Sequence, residues 1–257
     1  MGNFFKSRIY IEYLSLFSTI FKTISRNLSN AKFEPEVAIL RKFLSPGNIC
    51  IDIGGAYGRY AYPMSKIVSS EGKIYSFEPG SYSFRVISCV KRFHNLKNVV
   101  IIKKALSDKE GEIRLFSPLK KSGKVGPSLA FIDGKDHADA VSETVAMTTL
   151  DEFIRQSDIS RVDFIKCDTE GSELFIYRGA AKTIERFHPV ILSEVDDGNL
   201  KRYGLSAKEM EEFFKSRNYS FAAFRNGALK PVDHLNESGN YFFFHNSAAE
   251  RMIASLK

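Results

Sequence analysis

The sequence has few cysteines and no uninterrupted apolar segment long enough to cross a bilayer. Only three cysteines occur among 257 residues. With an odd number and no Cys-x-x-Cys pair, a disulfide framework is excluded and a reducing, cytoplasmic location is favoured. Glu12 interrupts the apolar run near the N-terminus, and no small-residue cleavage site follows it. We therefore predict neither a membrane-spanning helix nor a secretory signal.

The remaining composition is typical of a globular protein. Apolar residues make up 44% of the chain, which is enough for a sizeable core in one large α/β domain. We place this domain at residues 47–257, after an N-terminal helical extension at residues 1–46 that includes a predicted helix over 34–46. The formal net charge of +7 permits an anionic partner without choosing among a phosphorylated substrate, nucleic acid and lipid.

Residues 1–30 have the pattern of a basic amphipathic helix. Its apolar positions recur at helical spacing and are Ile9, Tyr13, Leu16, Phe17, Ile20, Phe21, Ile24 and Leu28. Basic residues lie on or beside the polar side, namely Lys6, Arg8, Lys22 and Arg26. We expect this helix to pack on its own domain or on a second subunit, and peripheral contact with an anionic membrane stays an open alternative.

A short strand followed by a glycine-rich bend organises the rest of the chain. Residues 49–53 form a mostly apolar run that contains Asp52, and Gly54, Gly55 and Gly58 follow before a segment that can be helical. Glycines between a strand and a helix let backbone amides approach a ligand closely. Because an acid lies within the motif, we expect a ligand with a cationic or hydroxyl-rich group.

A second acid lies at the end of the next predicted strand. Glu78 follows Asp52 by about 25 residues, near the spacing at which a carboxylate accepts hydrogen bonds from ribose hydroxyls. Pro79 then ends the strand and opens a turn. After a third strand over residues 99–103, residues 105–108 are placed to border an adenine at the same edge.

Two further predicted strands also end in acids. Residues 162–167 precede Asp168 and Glu170, and residues 189–193 precede Glu194. Since the carboxyl ends of parallel strands meet at one edge of a doubly wound sheet, we expect these acids to gather in one cleft. Their recurrence favours a site for a nucleoside-containing ligand.

The region between these groups is less regular. Residues 112–116 and 144–148 are predicted strands, and the loop of about residues 117–140 between them is long for a compact domain. The lysines of this loop that could contact an anionic substrate are Lys120, Lys121 and Lys124. An amphipathic helix is predicted from Glu173 onward, with Gly179 near its midpoint.

Six phrases of the chain, taken in order, resemble the FkbM-type S-adenosylmethionine-dependent methyltransferases. They are DIGGAYGRY, SFEP, ALSD, MTTLDEF, DFIKCDTEGSELFIYRGA and PVILSEV, and they cover about residues 48–195. The resemblance implies a class I methyltransferase fold. This is an α/β, Rossmann-like domain with helices on both faces of a seven-stranded, mostly parallel sheet whose last strand is antiparallel. Residues 220–224 and 241–245 suit the final strands, after a helix over 206–217.

The resemblance also implies S-adenosylmethionine as the cofactor. It implies that Asp52, Gly54 and Gly58 surround the methionine part and that Glu78 binds the ribose. With them we assign to the cofactor site Gly55, Pro79, Ala105, Leu106 and Asp168. The family more often has Asn where this chain has Tyr57, so the polar contact of that Asn is not expected here.

Methylation of a sugar hydroxyl requires removal of its proton, by a carboxylate or His or with the help of a divalent cation. Asp168, Glu170 and Glu194 are the candidate catalytic residues. The same three carboxylates would form an oxygen-rich site suited to Mg²⁺ or Ca²⁺.

We therefore predict O-methylation of a sugar or of another small-molecule or glycan hydroxyl. A nucleic-acid methyltransferase is an alternative that the basic charge permits. Against it, the turn after the fourth strand reads CDTEG, not the Asn/Asp-Pro-Pro-aromatic turn used to methylate base amino groups, and no patch of interleaved aromatic and basic residues is found. A cofactor-binding scaffold without catalysis is the third alternative, which the intact acids disfavour.

Overall fold

The computed structural model describes residues 2–29, 33–118, 131–132, 140–225 and 228–247. Its strands, β1 to β12 in chain order, span Ile49–Ile53, Lys73–Phe77, Val99–Ile102, Ala105–Leu106, Gly111–Pro118, Phe131–Ile132, Ala140–Thr148, Phe164–Cys167, Val190–Val195, Tyr219–Arg225, Ala228–Val232 and Gly239–His245. Its α-helices, α1 to α8, span Gly2–Leu28, Ala61–Val68, Ser81–Phe93, Leu150–Gln156, Glu173–Arg178, Ala181–Phe187, Asp197–Arg202 and Ala207–Lys215. A 3-10 helix, Pro35–Lys42, takes the place of the helix predicted over 34–46.

The main sheet confirms the predicted α/β fold class and corrects its strand count. Its order is β11-β10-β12-β9-β8-β1-β2-β3. The five strands from β9 to β3 are parallel, and β12 runs antiparallel to both of its neighbours. The sheet has eight strands, not seven, because β11 pairs with β10 as an extra edge strand. Pro231 makes this segment look unsuitable for a strand, but an edge strand tolerates the missing N–H.

The central strands are buried on both faces, as helices on both sides of a parallel sheet require. All four residues of β8 are buried. Ile165 and Cys167 belong to one hydrophobic cluster and Phe164 belongs to another, because successive side chains of a strand point to opposite faces. The carboxyl ends of these strands are consequently held rigidly at one edge of the sheet.

A second sheet lies next to this edge. Its order is β4-β7-β5-β6, with β5 and β7 forming an antiparallel pair. The strands predicted over 112–116 and 144–148 are confirmed as parts of this pair. Most of the predicted loop, including Lys120, Lys121 and Lys124, lies outside the described residues. Leu115 of β5 reaches the candidate site, so this sheet supplies part of its wall.

The predicted helix after Glu173 is divided at Gly179. Helix α5 ends at Arg178 and α6 begins at Ala181. Gly179 has an ordinary φ of −77°, so conformational freedom is not what requires glycine there. A Cβ at this position would lie 2.0 Å from the carbonyl oxygen of Ser107. Close approach of two backbones therefore requires the glycine, and no local helix pattern reveals that approach.

Substituting Gly179→Ala is expected to lower the free energy of unfolding by about 3 kcal/mol, because the methyl group would overlap backbone atoms that cannot move independently. Urea unfolding monitored by circular dichroism measures this change. Gly198→Ala in α7 is the control, since its nearest neighbour is the end of the Asp196 side chain at 3.1 Å, and we expect a change within about 1 kcal/mol. Equal stabilities of the two variants would contradict this role of Gly179.

Helix α1 packs against α3, but not through its apolar residues alone. The hydroxyls of Ser15 and Thr19 hydrogen bond with the Tyr82 hydroxyl at 3.3 and 2.9 Å. Phe17 and Phe21 remain more than 70% exposed. In the part of the chain that the structure describes, no helix has the length and apolar character to cross a membrane.

Candidate functional site

A cavity of about 360 Å³ opens at the carboxyl ends of β1, β2, β8 and β9. This volume is within the usual range for small-molecule sites. The predicted site residues that line it are Gly54, Gly55, Glu78, Pro79, Ala105, Leu106, Asp168, Glu170 and Glu194. The structure thus brings these residues together, as expected from parallel strands that end at one edge. Asp52 and Gly58, predicted as cofactor residues, are not part of the lining.

The glycine bend after β1 is held close to the neighbouring strands. The amides of Gly54 and Gly55 both donate to the carbonyl oxygen of Phe77, at 3.1 and 3.0 Å. Gly54 has φ +76°, and a Cβ there would lie 1.9 Å from the carbonyl oxygen of Asp168. A residue with a side chain would neither adopt this conformation readily nor fit beside β8. The bend therefore presents bare backbone to the cavity.

Glu78 is fixed in position by backbone amides. Its carboxylate accepts hydrogen bonds from the N–H groups of Ala56 at 2.7 Å and Gly80 at 2.9 Å. The residue is only 7% exposed, and burial raises the pKa of its carboxyl to about 8 although both amides oppose the shift. A ligand with hydroxyl groups could hydrogen bond with this carboxyl in either protonation state.

Asp52 does not line the cavity but lies next to the glycine bend, where its Oδ2 atom would be 3.4 Å from a Cβ on Gly55. It accepts a hydrogen bond of 2.8 Å from the Ser76 hydroxyl and stands opposite both Ser76 and Lys166 in the strand register. Burial raises the pKa of its carboxyl, while Lys166 and Ser76 oppose that shift. Among the described residues its Oδ1 atom has no hydrogen-bond partner. Asp52 is therefore placed to support the bend and the charge of Lys166.

Lys166 is a site residue that our sequence reasoning missed. It is 4% exposed, lines the cavity, and its ammonium lies 3.3 Å from Asp168 Oδ2 and 4.9 Å from the ring centroid of Tyr60. Burial opposes its charged form, but Asp168 and Asp52 outweigh this effect and raise the pKa of Lys166. A lysine inside an apolar strand pattern is the signal that could have found it, since a buried lysine needs a partner.

Glu194 is, like Glu78, an acid whose pKa is raised toward the neutral range. Burial and the nearby carboxylates of Asp168, Glu173 and Glu170 raise its pKa to about 8. Its side chain lines the cavity from the end of β9. A carboxylate with a pKa near the working pH is suited to accept a proton from a reacting hydroxyl.

The turn after β8 is organised by another buried acid, Glu173. Its carboxylate accepts hydrogen bonds from the amides of Thr169 at 2.7 Å and Gly171 at 3.3 Å. Glu170, within this turn, has φ +59° and accepts a hydrogen bond from the Asn199 side chain at 3.2 Å. Burial, followed by the charge of Asp168, raises the pKa of Glu170. Hydrogen bonds from backbone amides therefore hold Glu173, and a hydrogen bond from the Asn199 side chain holds Glu170.

The predicted metal site does not fit this arrangement. Asp168, Glu170 and Glu194 all line the cavity, but no group of three or more His, Cys, Asp or Glu residues within the described ranges could hold a metal ion. The Lys166 ammonium already lies beside Asp168, and Glu170 is bound to Asn199. A cation at this place would have to displace Lys166, so the arrangement of the described residues does not support the predicted Mg²⁺ or Ca²⁺ ligands.

Polar residues from outside the predicted motifs complete the cavity. Arg59 and Glu34 form an ion pair that lines it and remains partly exposed. On the same lining, the side chain of Asn240 donates to Glu36 at 2.9 Å, and the Tyr60 hydroxyl donates to Glu36 at 3.4 Å. These residues come from the N-terminal extension, the segment before α2 and the last strand. Their separation in sequence explains why no local motif identified them.

Comparisons with known proteins identify related sequences and folds. The family model described as Methyltransferase FkbM domain matches residues 52–221. Methyltransferase FkbM from Methylobacillus flagellatus KT aligns at 13% identity and a TM-score of 0.51, over 79% of this chain and 48% of its own. This chain therefore spans about half the length of that relative, and the likeness concerns the fold.

Two further solved structures align less well. A SAM-dependent methyltransferase from Aquifex aeolicus is 14% identical over 82% of this chain and 89% of its own, with a TM-score of 0.45. Aeropyrum pernix fibrillarin, solved with natively bound S-adenosyl-L-methionine, is 13% identical over 81% of this chain and 72% of its own, with a TM-score of 0.47. Among the curated proteins compared with the chain, none matches it.

Proposed function

The chain belongs to the FkbM methyltransferase family, and we propose that it transfers the methyl group of S-adenosylmethionine to a hydroxyl oxygen of a sugar or of another small molecule or glycan. One observation carries this proposal. The cavity is lined by a bare glycine bend and the buried Glu78, together with the acids Asp168 and Glu194. The first pair suits a nucleoside-containing cofactor, and the second suits proton removal from an acceptor.

The cavity has groups that match the parts of S-adenosylmethionine. The backbone of Gly54 and Gly55 lies open to the cavity and would approach the methionine part. The Glu78 carboxyl, held by two amides, would hydrogen bond with the ribose hydroxyls. The adenine would lie among the lining residues Pro79, Ala105, Leu106, Leu115 and Ile176. The size of the cavity and the chemistry of its lining both fit this cofactor.

The chain's own residues must position the acceptor and take its proton. The bound cofactor would supply a methyl group that its sulfonium already makes electrophilic. We assign the role of general base to Glu194, because its raised pKa lets the carboxylate accept a hydroxyl proton near neutral pH. The ammonium of Lys166 forms an ion pair with the Asp168 carboxylate and holds it in place. We assign to Asp168 the role of binding and orienting the acceptor.

The rest of the cavity lining favours a polyhydroxylated acceptor. It offers several hydrogen-bonding groups, which are Glu34, Arg59, Tyr60, Glu170 and Asn240. Sugars present many hydroxyls to such groups, whereas a nucleic acid would bring its phosphates toward several carboxylates. The concentration of acids in the cavity therefore supports a sugar or glycan over a nucleic-acid acceptor.

At pH 9, above the pKa of about 8 of the Glu78 carboxyl, Glu78→Gln is expected to weaken binding of S-adenosylhomocysteine by about 10- to 100-fold, because hydrogen bonds from the ribose to a carboxylate are stronger than those to an amide. Isothermal titration calorimetry measures this change. Glu143→Gln is the control: Glu143 binds Ser81 at the start of α3 but does not line the cavity, and its substitution should leave affinity unchanged. Wild-type affinity in Glu78→Gln would exclude Glu78 as the ribose ligand.

The proposed reaction is tested by incubating the purified protein with methyl-labelled S-adenosylmethionine and a cell extract. Mass spectrometry of the labelled products then locates the methyl group. We expect it on an oxygen of a sugar or other hydroxyl compound. Label found on a nucleobase would favour the nucleic-acid alternative, and cofactor binding without any labelled product would favour the scaffold alternative.

A further inference from the structure

Helix α1 carries a stripe of large apolar side chains that the protein leaves uncovered. Its members are Leu14, Phe17, Phe21 and Leu28, which are 53%, 73%, 72% and 63% exposed. Their spacing of three, four and seven residues places them on one face of the helix. Isolated exposed apolar residues are common, but a continuous stripe of this kind marks an interaction surface. We name these four residues the α1 stripe.

The α1 stripe is exposed because the opposite, hydroxyl-rich side of the helix packs on the protein. Thr23 and Asn27 are 5% and 1% exposed. The Thr23 hydroxyl donates to the carbonyl oxygen of Thr19 at 2.8 Å, and the Thr19 hydroxyl donates to that of Ser15 at 2.9 Å. With these donors satisfied and Tyr82 bound to the same side, the helix is fixed with the α1 stripe outward.

We propose that the α1 stripe docks on the surface of an anionic lipid bilayer. Helix α1 contains one acid, Glu12, and its four basic residues are Lys6, Arg8, Lys22 and Arg26. The chain as a whole has a net charge of +7. A helix with Phe and Leu on one side and basic residues elsewhere lies in the plane of a bilayer, held by apolar insertion and by attraction to anionic lipids.

A second copy of the chain fits the α1 stripe less well. The stripe extends over only about two heptads, whereas stable coiled coils repeat their apolar positions for longer. The flanking positions Ser18 and Ser25 offer no charges that could pair with another helix. A standard protein interface also needs about 20 residues from each partner. Two basic helices would repel each other, while an anionic bilayer attracts the positive charge through its headgroups and accommodates the apolar side chains at the boundary with its acyl chains.

Docking through α1 would place the bilayer near the mouth of the cavity. Arg26, close to the end of α1, interacts electrostatically with Glu34 and Arg59. Both of these residues line the cavity and are partly exposed. The C-terminal part of α1 therefore lies near the residues at the opening of the site.

Vesicle flotation tests this proposal with the full chain. The probes are vesicles of phosphatidylcholine alone and of phosphatidylcholine mixed with phosphatidylglycerol. We expect the wild-type protein to float with the mixed vesicles and not with the neutral ones. The variant Phe17→Ser with Phe21→Ser should bind at least about tenfold more weakly, since both inserted rings are lost. The matched control, Phe17→Leu with Phe21→Leu, stays apolar and should keep its binding.

The other outcomes overturn the proposal. Equal binding to neutral vesicles would remove the role of anionic lipid. Unchanged flotation of the serine variant would show that another surface binds the bilayer. If light scattering detects a wild-type dimer that the serine variant loses, and neither floats with vesicles, the α1 stripe is an interface between two copies of the chain. S-adenosylhomocysteine binding checks that both variants are folded.

Discussion

Replacing Glu194 with glutamine is expected to lower kcat by about 10²- to 10⁴-fold, the usual contribution of a general base. Glutamine keeps the size of the side chain but does not accept the proton of the acceptor hydroxyl. Because burial and nearby carboxylates raise the pKa of Glu194 to about 8, it is protonated below that pH and inactive as a base. Wild-type kcat/KM should therefore rise with pH and level off above about 8.

Single-turnover rates at saturating cofactor, measured with the acceptor that the labelling experiment identifies, test this prediction. Glu170→Gln is the informative control, because the charge of Glu170 helps to raise the pKa of Glu194. It should leave most of the rate and move the rise of activity to lower pH. A Glu194→Gln variant that keeps wild-type rate and the same pH profile would transfer the role of base to another group.

Lys166→Met is expected to lower the free energy of unfolding by about 2–4 kcal/mol. Removing one member of a buried ion pair leaves its partner without compensation. Here the affected groups are Asp52, which is 1% exposed, and Asp168, whose side chain is 40% exposed. The folded-state pKa of Lys166 is raised, so its stabilising charge is present throughout neutral pH and is lost only as pH rises through that pKa.

Urea unfolding of single and double variants separates the charge effect from the loss of packing. Adding Asp52→Asn to Lys166→Met removes the uncompensated charge and should recover at least half of the lost stability. The surface control is Lys208→Met, because the Lys208–Glu212 pair is mostly exposed and should contribute less than about 1 kcal/mol. If Asp52→Asn makes Lys166→Met less stable, the two residues are not electrostatically coupled as the structure implies.

The part of the site that could be predicted from sequence follows from strand direction. Glu78, Asp168 and Glu194 each come directly after or at the end of a parallel strand, and parallel strands end at one edge. The fold class and the resemblance to the FkbM family were confirmed on the same grounds. Which of these acids touches the cofactor stays a prediction.

What could not be predicted depends on side-chain direction and on contacts between distant segments. Asp52 precedes the last residue of β1, so its side chain points to the face shared with Ser76 and Lys166, where it is buried. The sequence pattern of β5 and β7 predicts strands but does not show whether they join the main sheet or form a second sheet, as they do in the structure. Likewise, periodicity shows that α1 is amphipathic but not which of its sides the protein covers.

In the proposed reaction, the cavity at the ends of β1, β2 and β8 binds S-adenosylmethionine. Hydrogen–deuterium exchange with and without S-adenosylhomocysteine tests this binding most directly, since it reports which backbone amides the ligand protects. We predict slower exchange in the peptides that contain Gly54–Ala56, Gly80 and Ala105–Leu106. Protection absent from these peptides, or confined to the groove around Lys91 and Lys97 at the end of α3, would contradict the claim.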